Sequence, residues 1–422
     1  MQLFEKLIDH PEAVSLVLEN TPRLPVARVP LVEARGLALA EDVRAGFDSP
    51  PFDNSAVDGY ALRSADAEVG RTFRVVDEAP AGHPAQKGVG EGEAIKIFTG
   101  GVVPRGADAV VMVEDTSGWG EAFELKKPAK AGQNLRAAGE DVRAGDVILR
   151  AGTEVGGAEI ALAATQGYGE LPVYRKPQVV ILSTGSELVE PGTRELSPGE
   201  IFDSNSFALL AQALEAGADA RRTVAASDDA DALRAAMGDA LSSADVVVTS
   251  GGVSVGQRDL VKSTLLELGV EQVFWGVKLK PGKPVFFGTR GNTRFFGLPG
   301  NPVSAMVCFE LFVRPALMKM MGREDKRRPR IEVYFDVGVE NKFGRMHAMR
   351  VNLTSTEKGW RAESVGAQGS GLVSSLTKAD ALALIGPESE GARAGEPVEA
   401  IVLREEVVLA GPQRGEKAGD RR

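Results

Sequence analysis

The sequence predicts a multidomain α/β plus β protein: a central αβα domain with a mostly parallel sheet, an inserted small β domain, and a C-terminal β-barrel-like domain. Three observations carry this. From Gln178 to about Gly322, short apolar runs alternate with amphipathic helical stretches, the pattern of βαβ units. From Tyr60 to about Lys130, short alternating segments are separated by glycines. From about Lys326 the β pattern returns in Ile331–Phe335, Met349–Leu353, Ala381–Ile385 and Val398–Leu403. These shifts give domains at 1–45 together with 140–176 (mixed helical), 46–139 (inserted β), 177–325 (α/β) and 326–410 (β). Residues 411–422 form a polar tail expected to be disordered.

Taken in order, Phe4, Leu7 and Ile8, then Val14, Leu16 and Val17, follow helical spacing with Pro11 at a helix start. Asp48–Ser55 is a Pro/Asn-rich break that leaves Asp58 at a loop-to-strand edge. Within the inserted module, Ile97–Phe98–Thr99–Gly100–Gly101 ends a strand in a hydroxyl and two glycines, and Asp141 lies between glycines in the connection at 132–145. Ala158–Ala164 reads as a helix. In the α/β domain, Val179–Leu182 is a strand and Asn205–Leu214 a helix. A strand near Thr223–Ala226 and a helix near Ala230–Leu241 follow. Further strands, Val273–Leu279, Val285–Phe287 and Phe295–Phe296, include a hairpin, and Asn301 with Pro302 opens the closing helix.

The chain is organised around Val246–Lys262. The β-branched run Val246–Thr249 suits a strand buried on both faces. Ser250–Gly251–Gly252 and Gly256 allow backbone N–H groups to converge on an oxyanion. Asp259 then opens a helix with Leu260, Leu265, Leu266 and Leu268 towards the sheet. Such a junction lies beyond the carboxyl end of a strand, where open α/β sheets bind ligands. A plain βα turn, with Asp259 only capping the helix, reads the same residues. Ser183–Thr184–Gly185 repeats the chemistry ahead of Glu187. Glu187 and Asp259, with loop-borne Asp58, Asp141 and Asp228, suit Mg²⁺, which takes oxygen ligands. Lys278, Lys280 and Lys283 bring three cations into a proline-stiffened turn fit for an oxyanion. Gly297–Pro302, with Pro299, offers a helix start with free N–H groups.

Composition narrows the function. Of 422 residues, 49 are basic and 59 acidic, giving net charge −10, which argues against duplex nucleic-acid binding. A single cysteine, Cys308, leaves neither an intrachain disulfide nor a cysteine-based zinc site, and fits a core position in a reducing compartment. With no signal-peptide pattern and no long apolar run, the expectation is a soluble cytoplasmic protein without membrane association. Gly252–Val253–Ser254–Val255–Gly256 matches the nucleophile elbow of serine hydrolases, but the loop is too long for an elbow and only His347 lies downstream. No Walker A, G-x-G-x-x-G or His-based metal spacing occurs, and His10, His83 and His347 receive no role.

Seven collinear motifs resemble one family. They are PPFDNSAVDGYA (Pro50–Ala61), TGGVVPRGADAVV (Thr99–Val111), AGEDVRAG (Ala138–Gly145), STGSEL (Ser183–Leu188), TSGGVSVGQRD (Thr249–Asp259), KPGKP (Lys280–Pro284) and GLPGNPVSA (Gly297–Ala305). Together they resemble bacterial MoeA, the molybdopterin molybdenumtransferases, similar to the C-terminal part of gephyrin. Two positions depart from the pattern: Ser186, where the family usually has Asp or Asn, and Gly276, where some relatives carry Lys; Lys278 is a candidate substitute.

The resemblance implies an elongated homodimer of four-domain subunits with a molybdopterin-binding-like α/β domain. It implies adenylylated molybdopterin and molybdate as substrates, Mg²⁺ as cofactor, and release of AMP. Glu187, Asp58, Thr99 and Asp141 would be catalytic, the last three reaching the partner's α/β domain. Ser250, Gly251, Gly252, Ser254, Lys278, Lys280, Lys283, Pro299, Pro302, Arg350 and Ser370 would bind substrate. Asp259, Asp228 and Glu187 would hold the metal. The molybdopterin adenylyltransferase and downstream cofactor-handling proteins are expected partners. A non-catalytic scaffold like gephyrin is the alternative.

Overall fold

The computed structural model describes residues 7–225, 230–251, 258–323, 328–341, 344–387 and 391–409. The chain divides into two compact units, one of residues 28–173 and one of residues 1–27 with 174–422.

The 28–173 unit holds a five-stranded sheet, ordered Ala109–Met112, Gly59–Leu62, Glu93–Ile97, Thr72–Ala79 and Ala122–Glu124. Tyr60, Phe73 and Phe123 stack in its core at 3.9 and 5.4 Å. The expected break at 48–55 contains one short strand, Asn54–Ser55, paired with Leu135–Arg136. The expected helix spans Gly157–Thr165 and contributes Ala163 to a separate core with Leu39, Leu171 and Val173.

In the other unit, α1 (His10–Glu19) has proline in its first turn, and its Ala13 and Val17 enter the main core. The α/β layer follows as β1 (Gln178–Thr184), α2 (Asn205–Glu215), β2 (Asp219–Ala225), α3 (Ala230–Ser243), β3 (Val246–Ser250), α4 (Arg258–Glu267), β4 (Glu271–Trp275), β5 (Leu279–Lys280), β6 (Phe286–Arg290), β7 (Thr293–Leu298) and α5 (Pro302–Cys308). Six strands form one sheet in the order β2-β1-β3-β7-β6-β4. Its first four strands are parallel, and β6 runs antiparallel to both of its neighbours, β7 and β4, so β4 points the same way as the first four. Five strands of six therefore share one direction, as expected of a mostly parallel sheet, and β6 alone makes it mixed.

The central strands are covered on both faces, which is why their sequences are continuous apolar runs. Val179 and Ile181 face the core shared with α1, α2 and α5, and Val180 and Leu182 face Leu233, Met237 and Leu265. The sequence pattern placed Leu266 towards the sheet as well. Leu266 is 56% exposed, because one residue turns it about 100° away from buried Leu265.

After α5 the helix widens into a π-helical turn, Phe309–Val313, and resumes as α6 (Arg314–Met320). The C-terminal β elements are β8 (Arg330–Tyr334), β9 (Met346–Thr356), β10 (Gly359–Ser364), β11 (Ala381–Ile385) and β12 (Val398–Val402), with α7 (Ser374–Lys378) before β11. They pair in the order β9-β10-β8-β12-β11, and β11 returns to β9, closing a five-stranded barrel. The two-residue β5 adds to β9 in parallel, setting Lys280 beside His347. Among the described residues no helix is long and apolar enough to cross a membrane.

Burial pushes both His10 and His347 down to about 4 from an ordinary 6.5. Their folded pKa values lie below the unfolded ones, so their contribution is complete above pH 6.5 and declines as pH falls from 6.5 towards 4, where the unfolded chain takes up protons first. The urea midpoint of the full chain should drop across that window, and a His10→Gln/His347→Gln double variant should flatten the drop.

Candidate active site

The candidate site lies in the α/β-and-barrel unit and has two halves. The first is a small cleft of about 70 Å³ at the carboxyl ends of β1 and β3. Ser183, Thr184 and Glu187 line it from the β1 side, Ser250 and Gly251 from β3, and Gly300 and Pro302 from the start of α5. Gly251 sits at φ +89°, and an added Cβ would lie 3.1 Å from the Thr184 carbonyl oxygen. Only glycine accepts that backbone without strain. The hydroxyls of Ser183 and Thr184, which line the cleft, are buried with no hydrogen-bond partner among the described residues. Buried polar groups in native proteins are paired, so these orphaned hydroxyls are the mark of a site built to bind a polar ligand.

Three polar lining residues escaped the sequence reading: Asp203, Ser204 and Asn205. Asn205 Nδ2 donates to Ser250 Oγ and to the Gly300 carbonyl, both at 2.7 Å, tying the first turn of α2 to β3 and to the start of α5. Asp203 accepts from the Ser206 amide at 3.1 Å and from its hydroxyl at 2.6 Å, and Arg222 stands 3.8 Å away. The signal was present as Asp-Ser-Asn-Ser ahead of a helix, but that pattern equally describes an ordinary helix cap.

The second half is a cationic cluster around a buried arginine. Arg350 on β9 is fully buried, and its Nε and Nη1 have no partner among the described residues. Its Nη2 donates to the Gly369 carbonyl at 3.3 Å. Desolvation is what lowers its pKa, with no carboxylate among the described residues to offset the burial. Lys280 is held below the ordinary lysine value by burial first and then by Arg345 and Arg350. Neutral His347 packs among these cations. Arg345 and His347 were not anticipated, because neither follows a motif and only the β5–β9 pairing brings them to the lysine turn.

A strap at 366–372 connects the halves. Gln368 pairs its amide with the Arg350 backbone N–H and C=O, both at 3.0 Å. Asn301 stands at the N-cap of α5, but its Nδ2 donates to Ser370 Oγ at 3.0 Å instead of its side chain capping the helix. The Val303 amide donates to the Ser370 carbonyl. Asn301 and Ser370 are therefore linked to Arg350 through consecutive residues of one strap.

The remaining expected residues fall out as follows. Pro299 accepts a long 3.5 Å bond from Ser250 Oγ. Lys283 is exposed, and its carbonyl accepts from the Val277 amide at 3.0 Å. Lys278 pairs with Asp9 at 3.2 Å, turned towards α1. Gly252, Ser254, Asp228 and the side chain of Asp259 lie outside the described residues. In the 28–173 unit, exposed Asp58 accepts from the Thr99 amide at 2.7 Å and hydroxyl at 2.8 Å, which hold its carboxyl below the usual range. Asp141 is exposed on its loop, its amide bonded to the Ser49 carbonyl. Among the described residues no cluster of three His, Cys, Asp or Glu is suited to a metal. Glu187 is the one expected metal ligand with a described side chain. Its carboxylate lies over Gly185 in a cleft rich in oxygen donors, a set that fits Mg²⁺ sharing a substrate's phosphates.

Thr99→Val, which removes the hydroxyl bond but keeps the amide bond, should move the Asp58 pKa part of the way back towards the ordinary carboxylate value in a ¹³C NMR titration; an unchanged pKa would contradict the hydroxyl's share in the pairing. Gly251→Ala should cost about 1–2 kcal/mol in stability from the left-handed backbone alone, read by chemical denaturation.

Comparison with known proteins agrees with this architecture along most of the chain. Residues 8–167 match the MoeA N-terminal region (domain I and II), 180–319 a probable molybdopterin binding domain, and 333–403 the MoeA C-terminal region (domain IV). The molybdopterin molybdenumtransferase of Haemophilus influenzae is 37% identical over 92% of this chain and 96% of its own. Molybdopterin molybdenumtransferase 2 of Mycobacterium tuberculosis is 42% identical over 71% of this chain and 76% of its own. The crystal structure of a molybdopterin biosynthesis MoeA protein from Pyrococcus horikoshii superimposes with a TM-score of 0.80 at 32% identity, covering 94% of this chain and 99% of that one. The chain belongs to the MoeA family, the molybdopterin molybdenumtransferases of molybdenum cofactor biosynthesis.

Proposed function

We propose that this chain transfers molybdenum from molybdate to adenylylated molybdopterin, with Mg²⁺-assisted opening of the diphosphate and release of AMP. The observation that carries the reading is the buried Arg350 guanidinium, with two unpartnered nitrogens next to Lys280, joined by one strap to a cleft of orphaned hydroxyls. A tetrahedral oxyanion satisfies the first half. It offers acceptors to the free guanidinium N–H groups and supplies the negative charge that desolvated cations lack. A phosphorylated pterin suits the second, where Ser250, Gly251 and the start of α5 supply hydroxyl and N–H donors.

In this reading Arg350, Lys280 and the Ser370 strap hold molybdate, and the hydroxyl–glycine cleft orients the diphosphate. Water opens the P–O–P bond, leaving AMP and the terminal phosphate of the pterin. Molybdenum then joins the two dithiolene sulfurs, and one oxide leaves as water with the two thiol protons. Glu187 would hold Mg²⁺, with Asp259 and Asp228 as further ligands; bound there, the ion supplies charge neutralisation on the phosphate oxygens. Because the sulfurs belong to the substrate, Cys308 is free to serve as core; burial pushes its thiol well above the ordinary value. Asp58, Thr99 and Asp141 are proposed to act on the cleft of a second subunit in a homodimer.

Glu187→Gln should abolish AMP release and cofactor formation while leaving the unfolding transition in place; undiminished transfer would remove Glu187 from the chemistry. Arg350→Ala should raise the KM for molybdate by at least about tenfold, as expected for one charge-assisted contact, with a smaller effect on pterin affinity. Mixing inactive Asp58→Ala and Glu187→Gln subunits should restore part of the activity if the loops act across a dimer, and none if each subunit works alone.

A further inference from the structure

A second cavity, of about 230 Å³, has no part in the reading above. It lies between the α/β layer and the barrel. Gln212 and Glu215 line it from α2, Met306 and Val307 from α5, and Leu376 and Leu382 from the barrel side. Six of its eleven lining residues are apolar, and Gln212, Glu215, Glu310, Arg328 and Arg404 supply the rest. For scale, an apolar cavity of about 150 Å³ accommodates benzene.

Its polar floor is specific. Gln212 is buried, and its Nε2 donates to the Met306 carbonyl at 3.2 Å and to Glu310 Oε1 at 2.9 Å. Both partners are acceptors, so the orientation of the amide is fixed. That leaves Gln212 Oε1 buried with no donor among the described residues. Glu310 is already satisfied: Arg314 Nε lies 2.9 Å from Oε2, and Arg328 Nε donates to Oε2 at 3.1 Å. Glu310 lies on the π-helical turn Phe309–Val313, a distortion that recurs at functional sites. The occupant this floor asks for is uncharged, flat or compact, mostly apolar, and carries one N–H or O–H donor.

The cavity also shares its framework with the substrate cleft. Helix α2 begins at Asn205 in the cleft and ends at Gln212 and Glu215 in the cavity. Helix α5 begins at Pro302 in the cleft and presents Met306 and Val307 to the cavity. The strap bearing Ser370 continues through α7 to Leu376 and Ala379. Three segments thus carry one site at one end and the other site at the other.

We infer that this cavity is an effector site for a small neutral molecule with a single hydrogen-bond donor, coupled to the substrate cleft through α2, α5 and the 369–379 segment. The test uses the full chain and needs no molybdenum chemistry, so its outcome is independent of the proposed transfer reaction. Indole supplies the required donor, and benzofuran has nearly the same shape without it. Calorimetric titration should show indole binding one to one. Benzofuran should bind about tenfold more weakly, the effect of one hydrogen bond to a buried acceptor. Leu376→Trp, which fills the half-buried side of the cavity, should abolish both. Hydrogen exchange with indole bound should slow around Gln212 and Met306 and also at the cleft ends, near Asn205 and Ser304. Absence of indole binding, or equal affinity for indole and benzofuran, would overturn the assignment of the site. Protection confined to the cavity lining would overturn the coupling.

Discussion

The desolvated Arg350 guanidinium is the constraint on which the rest of the site depends. Burying a cation without a carboxylate costs several kcal/mol even after relaxation. Here β9 carries Arg350 into the barrel wall, the strap covers it through Gly369, and Lys280 and Arg345 add further positive charge. None of this improves stability. It makes sense when a multiply charged oxyanion, bound at the same point, offsets the repulsion and accepts the unused N–H groups.

The fold supplies the stiffness such a cluster needs. Barrel closure fixes β9 on both sides, since β10 and β11 flank it, and β5 extends it with the lysine turn. Cys308 supports that turn from beneath: a Cβ on Gly282 would meet its sulfur at 2.4 Å, so the turn rests directly on α5. The continuous apolar core running from β1 and α5 to Met346, Ala348 and Leu382 holds the α/β layer and the barrel as one body. A cation cluster mounted on a looser scaffold would relax towards water and lose its preorganisation.

Local chemistry was legible in the sequence, and non-local pairing was not. The run Val246–Ser250, the turn Ser183–Gly185 and the Asn301–Pro302 helix start each announce themselves within a few residues. The lysine turn was legible as a cationic turn, yet its members part company: Lys280 joins Arg350, Lys283 is exposed and Lys278 pairs with Asp9. Which lysine turns inward follows from the β5–β9 register, which no spacing rule contains. Asp203 and Asn205 were hidden for the opposite reason, since a helix cap and a ligand-binding loop use the same residue types. The barrel closure, β11 returning to β9, joins strands about thirty residues apart by a contact that only the folded chain displays.

The central claim is that Arg350, with Lys280, receives the oxyanion. Crystals of the full chain soaked in molybdate and measured at the molybdenum absorption edge test it directly. The account predicts an anomalous peak in contact with the Arg350 guanidinium and the Lys280 ammonium, beneath the Ser370 strap. A peak confined to another part of the molecule, or a carboxylate already seated on the unpartnered Arg350 nitrogens, would contradict it.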